Sequence, residues 1–214
     1  MPLYDLTRPL SPRTAVYPGD TPVSIAATSQ LRNGDMCNVS SIAMSVHAGT
    51  HIDAPRHYSD DAPGVDALDL RVLTGSARVA TIATNAAIDT ADLSHLSDLS
   101  GRALLVHTRG SETPYDVFDP AYVHFTPAAA AWLGECGVRL VGIDTPSVDP
   151  SDSTDLPAHL TFLRYGIIIV ENLCLRGVPD GDYRLLALPL KIVDCDAAPA
   201  RVLLESVITY HSEP

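Results

Sequence analysis

Proline and glycine are the residues that most constrain how this chain can fold. Its 214 residues include 17 prolines and 13 glycines, spread along the whole sequence. Because both residues interrupt regular backbone structure, we expect many short elements joined by short loops. The short apolar or β-branched runs between these breaks are typical of strands. They predict strands at residues 23–27, 77–83, 103–108, 138–143, 166–170 and 201–209, and a half-buried strand within 37–47.

Two segments have the pattern of helices. Thr126 and Pro127 supply an N-cap and a first helical turn, and a second helix is expected at residues 156–164. Three leucines at helical spacing predict the buried face of this second helix: Leu156, Leu160 and Leu163. Strands outnumber helices and do not alternate strictly with them. We therefore expect an α/β fold with a mixed β-sheet core, in a single domain over residues 1–214.

The charge balance excludes several classes of function. With 14 basic and 26 acidic side chains the net charge is −12, which argues against binding to nucleic acid or to an anionic membrane. The four cysteines form no CxxC pair, and the chain has neither a signal-peptide pattern nor an apolar run long enough to cross a membrane. We therefore expect a cytoplasmic protein with reduced thiols that acts on small molecules or binds metal.

Residues 47–57 contain the clearest chemical pattern in the chain. They read His-Ala-Gly-Thr-His-Ile-Asp-Ala-Pro-Arg-His and hold three of its eight histidines. The potential metal ligands are separated by even numbers of residues, so in an extended segment they share one face. A straight strand would spread them over about 33 Å, but a glycine and a proline allow the segment to bend. We therefore predict a site for zinc, or for manganese or iron, formed by His47, His51, Asp53 and His57.

Two later residues are candidates to complete such a site. His159 lies on the second predicted helix, away from the leucines, so it can face a cleft. Glu171 follows the apolar run Ile-Ile-Ile-Val at the end of a predicted buried strand. A carboxylate in that place is costly unless it is paired or bound to a metal ion.

These motifs resemble those of a known family, the metal-dependent cyclase-like hydrolases. Residues 47–57 fit the family pattern HxGTHxDxPxH. The resemblance extends over nearly the whole chain, through residues 15–22, 142–150, 188–191 and 196–201. The family includes kynurenine formamidases and isatin hydrolases, and the length and the Asp-Thr-Pro-Ser stretch at 144–147 resemble the formamidase branch most.

The resemblance implies a fold, an assembly and a site. The fold would be of the swivelling β/β/α type, in a homodimer whose subunits lend loops to each other's sites. Each subunit would bind two divalent metal ions, usually zinc. His57 would act as general acid/base, and Tyr17 would stack on an aromatic substrate. One ion would be held by His47, His51 and Asp53, and the second by Asp53, His159 and Glu171.

The activity implied is hydrolysis of N-formyl-L-kynurenine to L-kynurenine and formate by a metal-activated hydroxide. Two residues differ from the formamidase branch, which usually has tryptophan in place of Tyr17 and glycine in place of Asn172. They keep open a first alternative, the hydrolysis of isatin or another cyclic amide or imide by the same metal chemistry. A second alternative is a non-catalytic metal-binding accessory protein.

Overall fold

The computed structural model describes residues 2–207, and the elements below belong to that range. The strands are β1 (Leu3–Asp5), β2 (Ser24–Ser29), β3 (Val39–Ala43), β4 (His51–Asp53), β5 (Thr74–Thr81), β6 (Ala87–Ile88), β7 (Ala103–His107), β8 (His124–Phe125), β9 (Leu140–Ile143), β10 (Ile168–Glu171), β11 (Gly181–Pro189) and β12 (Ala197–Ser206). The α-helices are α1 (Leu70–Leu73), α2 (Thr90–Leu93), α3 (Pro127–Glu135) and α4 (Pro157–Arg164).

Seven strands form a sheet that closes on itself. Its order is β12-β11-β5-β7-β9-β10-β4, and β4 pairs again with the first residues of β12. Strands β5, β7, β9 and β10 are parallel, whereas the other neighbours in the ring are antiparallel. Strand β1 pairs with the far end of β12. The predicted α/β fold with a mixed sheet is therefore confirmed.

The closed sheet separates two hydrophobic cores. On β7, Ala103 and Leu105 belong to the inner core, whereas Leu104 and Val106 belong to the outer one. All seven strands contribute residues to the inner core. Because side chains alternate along a strand, every second residue points inward, and these side chains fill the barrel. Gly142 of β9 gives the space this packing needs, because a Cβ there would lie 2.4 Å from the Leu105 side chain.

Helices α3 and α4 cover the outer core. The predicted start of α3 is confirmed: Thr126 Oγ1 accepts a hydrogen bond from the Ala129 N–H at 3.1 Å, and Pro127 occupies the first turn. Ala129 and Leu133 are buried against the sheet. None of the helices within residues 2–207 is long and apolar enough to cross a membrane.

The buried face of α4 differs from the predicted one. Leu160 is 44% exposed, whereas Ala158, His159 and Phe162 are buried. The prediction of a leucine face was therefore wrong. The physical reason is that Asp149 binds the first turn of α4 and turns His159 toward the sheet, which leaves Leu160 on the opposite side.

The strand predicted within 37–47 is observed as β3, but its predicted half-burial was wrong. Strand β3 pairs with β2 in a separate two-stranded ribbon, and every residue of β3 is exposed. The loose alternation of apolar and polar residues does show in this ribbon, but no other element within the described range covers its apolar face.

The remaining predicted strands match observed ones to within a few residues. They correspond to β2, β5, β7, β9, β10 and β12, although residues 208 and 209 of the last prediction lie outside the described range. Strand β11 was missed, as were the short strands β1, β4, β6 and β8. Strand β11 contributes Tyr183, Leu185 and Ala187 to the inner core, so it is a central element of the barrel.

Candidate metal centre

The pairing of β4 with β10 brings three candidate ligands to one face of the sheet. His51 pairs with Glu171, and Asp53 pairs with Ile169 two residues along. Ile52 and Val170, which lie between them, point into the barrel. Because side chains alternate along a strand, His51, Asp53 and Glu171 share the outer face. The distance between His51 Nε2 and Glu171 Oε2 is 3.3 Å.

The turn before β4 adds His47 to this group. Gly49 has φ +67°, and a Cβ there would lie 2.7 Å from Leu10 Cδ2. This turn folds the chain back, so that His47 Nδ1 lies 3.1 Å from Asp53 Oδ1. His51 Nδ1 lies 3.0 Å from the Gly49 carbonyl oxygen. That contact leaves His51 Nε2 directed at Asp53 Oδ1, 3.4 Å away.

Helix α4 supplies His159. Asp149, which is 1% exposed, accepts hydrogen bonds from the backbone N–H groups of Ala158 and His159. Its carboxylate also lies 2.6 Å from His159 Nδ1. The other ring nitrogen, Nε2, therefore points away, 3.2 Å from Glu171 Oε1 and 3.7 Å from Asp53 Oδ2.

These side chains form two overlapping groups of potential metal ligands. Each group has ligand atoms within 4.8 Å of one another: His47, His51 and Asp53 in one, and Asp53, His159 and Glu171 in the other. Two atoms at the centre, His51 Nε2 and Asp53 Oδ1, are buried without a hydrogen-bond partner among the described residues. Orphaned polar atoms are costly to bury, and a cation between them would satisfy both. The residues therefore fit a divalent metal ion.

The electrostatics of the cluster also favour a bound cation. Burial alone lowers the pKa of His51, but the adjacent carboxylates of Asp53 and Glu171 outweigh it and raise this pKa to about 10. Burial also lowers the pKa of His159, but its contacts with Asp149 and Glu171 outweigh this effect and raise the pKa to about 10. Burial raises the pKa of Asp53, yet the neighbouring histidines hold it well below its ordinary value. The buried carboxylates therefore attract positive charge to this point.

His57 stands beside the two buried groups. It ends a short 3₁₀ turn, Pro55–His57, and 31% of its side-chain surface is exposed. Its ring centroid lies 4.2 Å from that of His47, and its Nδ1 lies 3.6 Å from Asp196 Oδ2. Burial lowers the pKa of His57. His57 also forms a third, more exposed group of potential ligands with His47 and Asp196.

A cavity of about 360 Å³ opens next to the cluster. His47, His51, His57, His159 and Glu171 reach its wall, and Asn172 also lines it. The cavity is also lined by three aromatic residues, Tyr17, Phe118 and Tyr122. The Tyr17 and Phe118 rings meet edge to face at 5.4 Å, and the Tyr17 hydroxyl donates to the Ser151 carbonyl oxygen at 2.8 Å. The structure thus brings all the sequence-predicted site residues to one cavity, apart from Asp53, which lies beneath it.

Three contributors to the cluster were missed or understated. The sequence suggests no more than a turn or a helix cap for Asp149, which does cap α4 but also contacts the His159 ring. Asp196 lies 2.8 Å from His47 Nε2. Tyr58 donates to Asp53 Oδ2 at 2.5 Å, and burial raises its pKa well above the ordinary value, so its hydroxyl keeps its proton. Tyr58 directly follows the motif, and this proximity was the one available signal.

Comparisons with known proteins agree with this geometry. The family model described as "Putative cyclase" matches residues 4–150. A kynurenine formamidase from Salinibacter ruber is 44% identical over 207 residues, which cover 95% of this chain and 97% of that protein.

Solved structures show the same fold. A structure described as a potential metal-dependent hydrolase with cyclase activity superposes with a TM-score of 0.84 at 34% identity, covering 95% of this chain and 96% of that one. Isatin hydrolase A from Labrenzia aggregata shares the fold with a TM-score of 0.83 at 24% identity, covering 95% and 93% of the two chains. The cyclase-like fold predicted from the motifs is therefore confirmed, and the chain belongs to the cyclase family, in which kynurenine formamidases are among its relatives.

Proposed function

We propose that this protein is a metal-dependent amidohydrolase that converts N-formyl-L-kynurenine to L-kynurenine and formate. The observation that carries the proposal is the buried cluster of histidines and carboxylates, with two orphaned ligand atoms, beside an aromatic-walled cavity. The 44% identity to the Salinibacter ruber kynurenine formamidase, over 95% of the chain, supports this substrate.

The metal centre is proposed to hold two ions. The first ligand group is His47, His51 and Asp53, and the second is Asp53, His159 and Glu171, so Asp53 belongs to both. Imidazole and carboxylate ligands suit Zn²⁺, and also accept Mn²⁺ or Fe²⁺. When bound, such ions lower the pKa of a water molecule and polarise a carbonyl oxygen.

The cavity suits a small aromatic amide. Its volume of about 360 Å³ lies in the range of small-molecule sites, and aromatic and polar side chains both line it. Tyr17, held by its hydrogen bond to Ser151 and its contact with Phe118, offers a fixed ring against which an aryl group can pack. The formyl group would then approach the histidines that also line the cavity.

His57 is proposed as the proton donor. Addition of water to the formyl carbon must be followed by cleavage of the C–N bond, and the arylamine nitrogen needs a proton to leave. His57 lines the cavity and lies outside the two buried ligand groups, so it is free for proton transfer. His47 and Asp196 pack beside its ring and restrict its position.

The test is a comparison of substrates on metal-reconstituted protein. Formylkynurenine and isatin are supplied in parallel, and loss of the near-ultraviolet signal of formylkynurenine is followed. Turnover of formylkynurenine at an ordinary enzymatic rate, about 1–1,000 s⁻¹, supports the proposal. Turnover of isatin alone would favour the cyclic-amide alternative. Metal binding with no hydrolysis of either compound would favour the non-catalytic accessory protein.

A homodimer is proposed as the functional assembly, and the β2–β3 ribbon supports it. An isolated two-stranded ribbon is marginally stable in water. On one face this ribbon exposes the cross-strand pair Ile25 and Ile42, at 46% and 56%. A second copy of the chain would cover this apolar face. Light scattering should give twice the mass of 22.8 kDa, and the double variant Ile25→Ser, Ile42→Ser should give a monomer. A monomeric wild type would refute the dimer.

The cytoplasm is proposed as the compartment. All four cysteines are free thiols in the structure, as is usual for proteins of reducing compartments. Cell fractionation tests this, and recovery of the protein outside the cytoplasm would refute it.

A further inference from the structure

Tyr58 lies one residue beyond the family motif and contacts the candidate metal ligands. It follows the 3₁₀ turn that carries His57, and its backbone N–H donates to the Pro55 carbonyl oxygen at 3.1 Å. The Tyr58 ring contacts those of His57 and His159, with centroid distances of 4.5 Å and 4.9 Å. These two contacts and the hydrogen bond to Asp53 restrict the ring, so its hydroxyl has a defined direction.

That hydroxyl makes the two oxygens of Asp53 unequal. Oδ2 accepts the Tyr58 hydrogen bond at 2.5 Å. Oδ1 has no hydrogen-bond partner among the described residues and lies 3.1 Å from His47 Nδ1 and 3.4 Å from His51 Nε2. His159 Nε2 is 3.7 Å from Oδ2, so the second ligand group approaches the oxygen that Tyr58 already contacts.

We propose that Tyr58 is a positioning residue that makes the two halves of the metal centre bind with different affinities. Its hydrogen bond directs Asp53 Oδ1 toward His47 and His51, which form the first half of the centre with Asp53. The same bond draws electron density from Asp53 Oδ2, the oxygen nearer to His159 in the second half, which also contains Glu171. The first half therefore binds an ion tightly and the second half more weakly. This inference rests on the metal centre of the proposed function, but it concerns the ratio of the two affinities and not the reaction.

The physical basis is that hydrogen bonds to a ligating carboxylate tune its affinity for metal. Loss of such an outer partner commonly changes metal affinity by about 10–100-fold. Here the partner acts on one oxygen of a carboxylate that serves both groups. Its removal should lower the metal affinity of the first half, because the Asp53 carboxylate loses its orientation. The metal affinity of the second half should not fall, because Asp53 Oδ2 no longer accepts a hydrogen bond. The two affinities should therefore become more alike.

The test is a zinc titration of the metal-free full-length protein against a competing chelator. Wild type should bind two ions with separate dissociation constants. Tyr58→Phe, which keeps the ring and its packing, should reduce the ratio of the second constant to the first by about tenfold, equivalent to about 1.4 kcal/mol. The matched control is Tyr183→Phe, which removes a hydroxyl that donates to the Pro179 carbonyl oxygen at 2.8 Å, in the barrel core and outside the centre. The control should leave the ratio unchanged.

Two results would overturn the inference. If Tyr58→Phe shifts both constants by the same factor, or neither, the residue has a general structural role only. If wild type binds only one zinc ion, the second ligand group is not a zinc site, and the inferred ratio of two affinities does not exist. The hydrolase proposal is judged separately by the formylkynurenine assay, so the two failures can be told apart.

Discussion

Asp149 is the residue whose replacement most directly tests how the fold builds the metal centre. Its Oδ1 accepts a hydrogen bond from the Ala158 N–H at 2.8 Å, and its Oδ2 accepts one from the His159 N–H at 3.0 Å. Oδ2 also lies 2.6 Å from the His159 ring. Asn in place of Asp149 must turn its NH2 group toward one of these donors. Either the first turn of α4 or the His159 ring therefore loses an acceptor.

The size of the effect follows from the hydrogen bond that this substitution breaks. A hydrogen bond to a charged group contributes about 1.5–3 kcal/mol, so Asp149→Asn should lower the free energy of unfolding by that amount. In a chain of this length the change corresponds to a fall in Tm of about 3–12 °C. Since His159 loses its outer partner, zinc affinity at the second ligand group should fall by about 10–100-fold.

Thermal unfolding and zinc titration measure the two effects on the same preparation. The matched control is Asp152→Asn, which makes the same charge change at an exposed position of the same loop. It should alter neither quantity. If Asp149→Asn keeps wild-type zinc affinity at both ligand groups, then Asp149 does not orient His159, and its role in building the second group is refuted.

Three further predictions concern other parts of the molecule. His57→Ala should lower kcat for formylkynurenine by about 10²–10⁴-fold while metal content, measured by mass spectrometry, stays unchanged; full kcat would refute its role as proton donor. Asp53→Ala should lose both ions and activity together, because Asp53 belongs to both ligand groups; retained metal stoichiometry would refute the shared carboxylate. Arg8→Met should lower the free energy of unfolding by about 2–4 kcal/mol in urea titrations, and an unchanged midpoint would contradict this. The buried Arg8 guanidinium donates to four backbone carbonyl groups, those of Gly110, Thr113, Asp144 and Leu173.

Short sequence patterns predicted the positions of most strands and the start of α3. Short apolar runs identified most strands of the barrel, and Thr126 with Pro127 identified the start of α3, because propensity and capping act within a few residues. The exposed ribbon and the buried face of α4 were mispredicted for the opposite reason. Burial of a strand or a helix face depends on which element packs against it. For α4 that is decided by Asp149, outside the helix.

The residues of the candidate metal centre were also predictable only in part. The motif from His47 to His57 already contains ligand types that suit a metal ion, and its even spacing indicated a shared face. The position of Glu171 across from His51 follows instead from the antiparallel register of β10 with β4. The contacts of Tyr58 and Asp196 with the ligands likewise depend on how the folded chain packs. The reason is that ligand chemistry depends on the side chains present, whereas distances between residues far apart in the chain depend on strand pairing and packing.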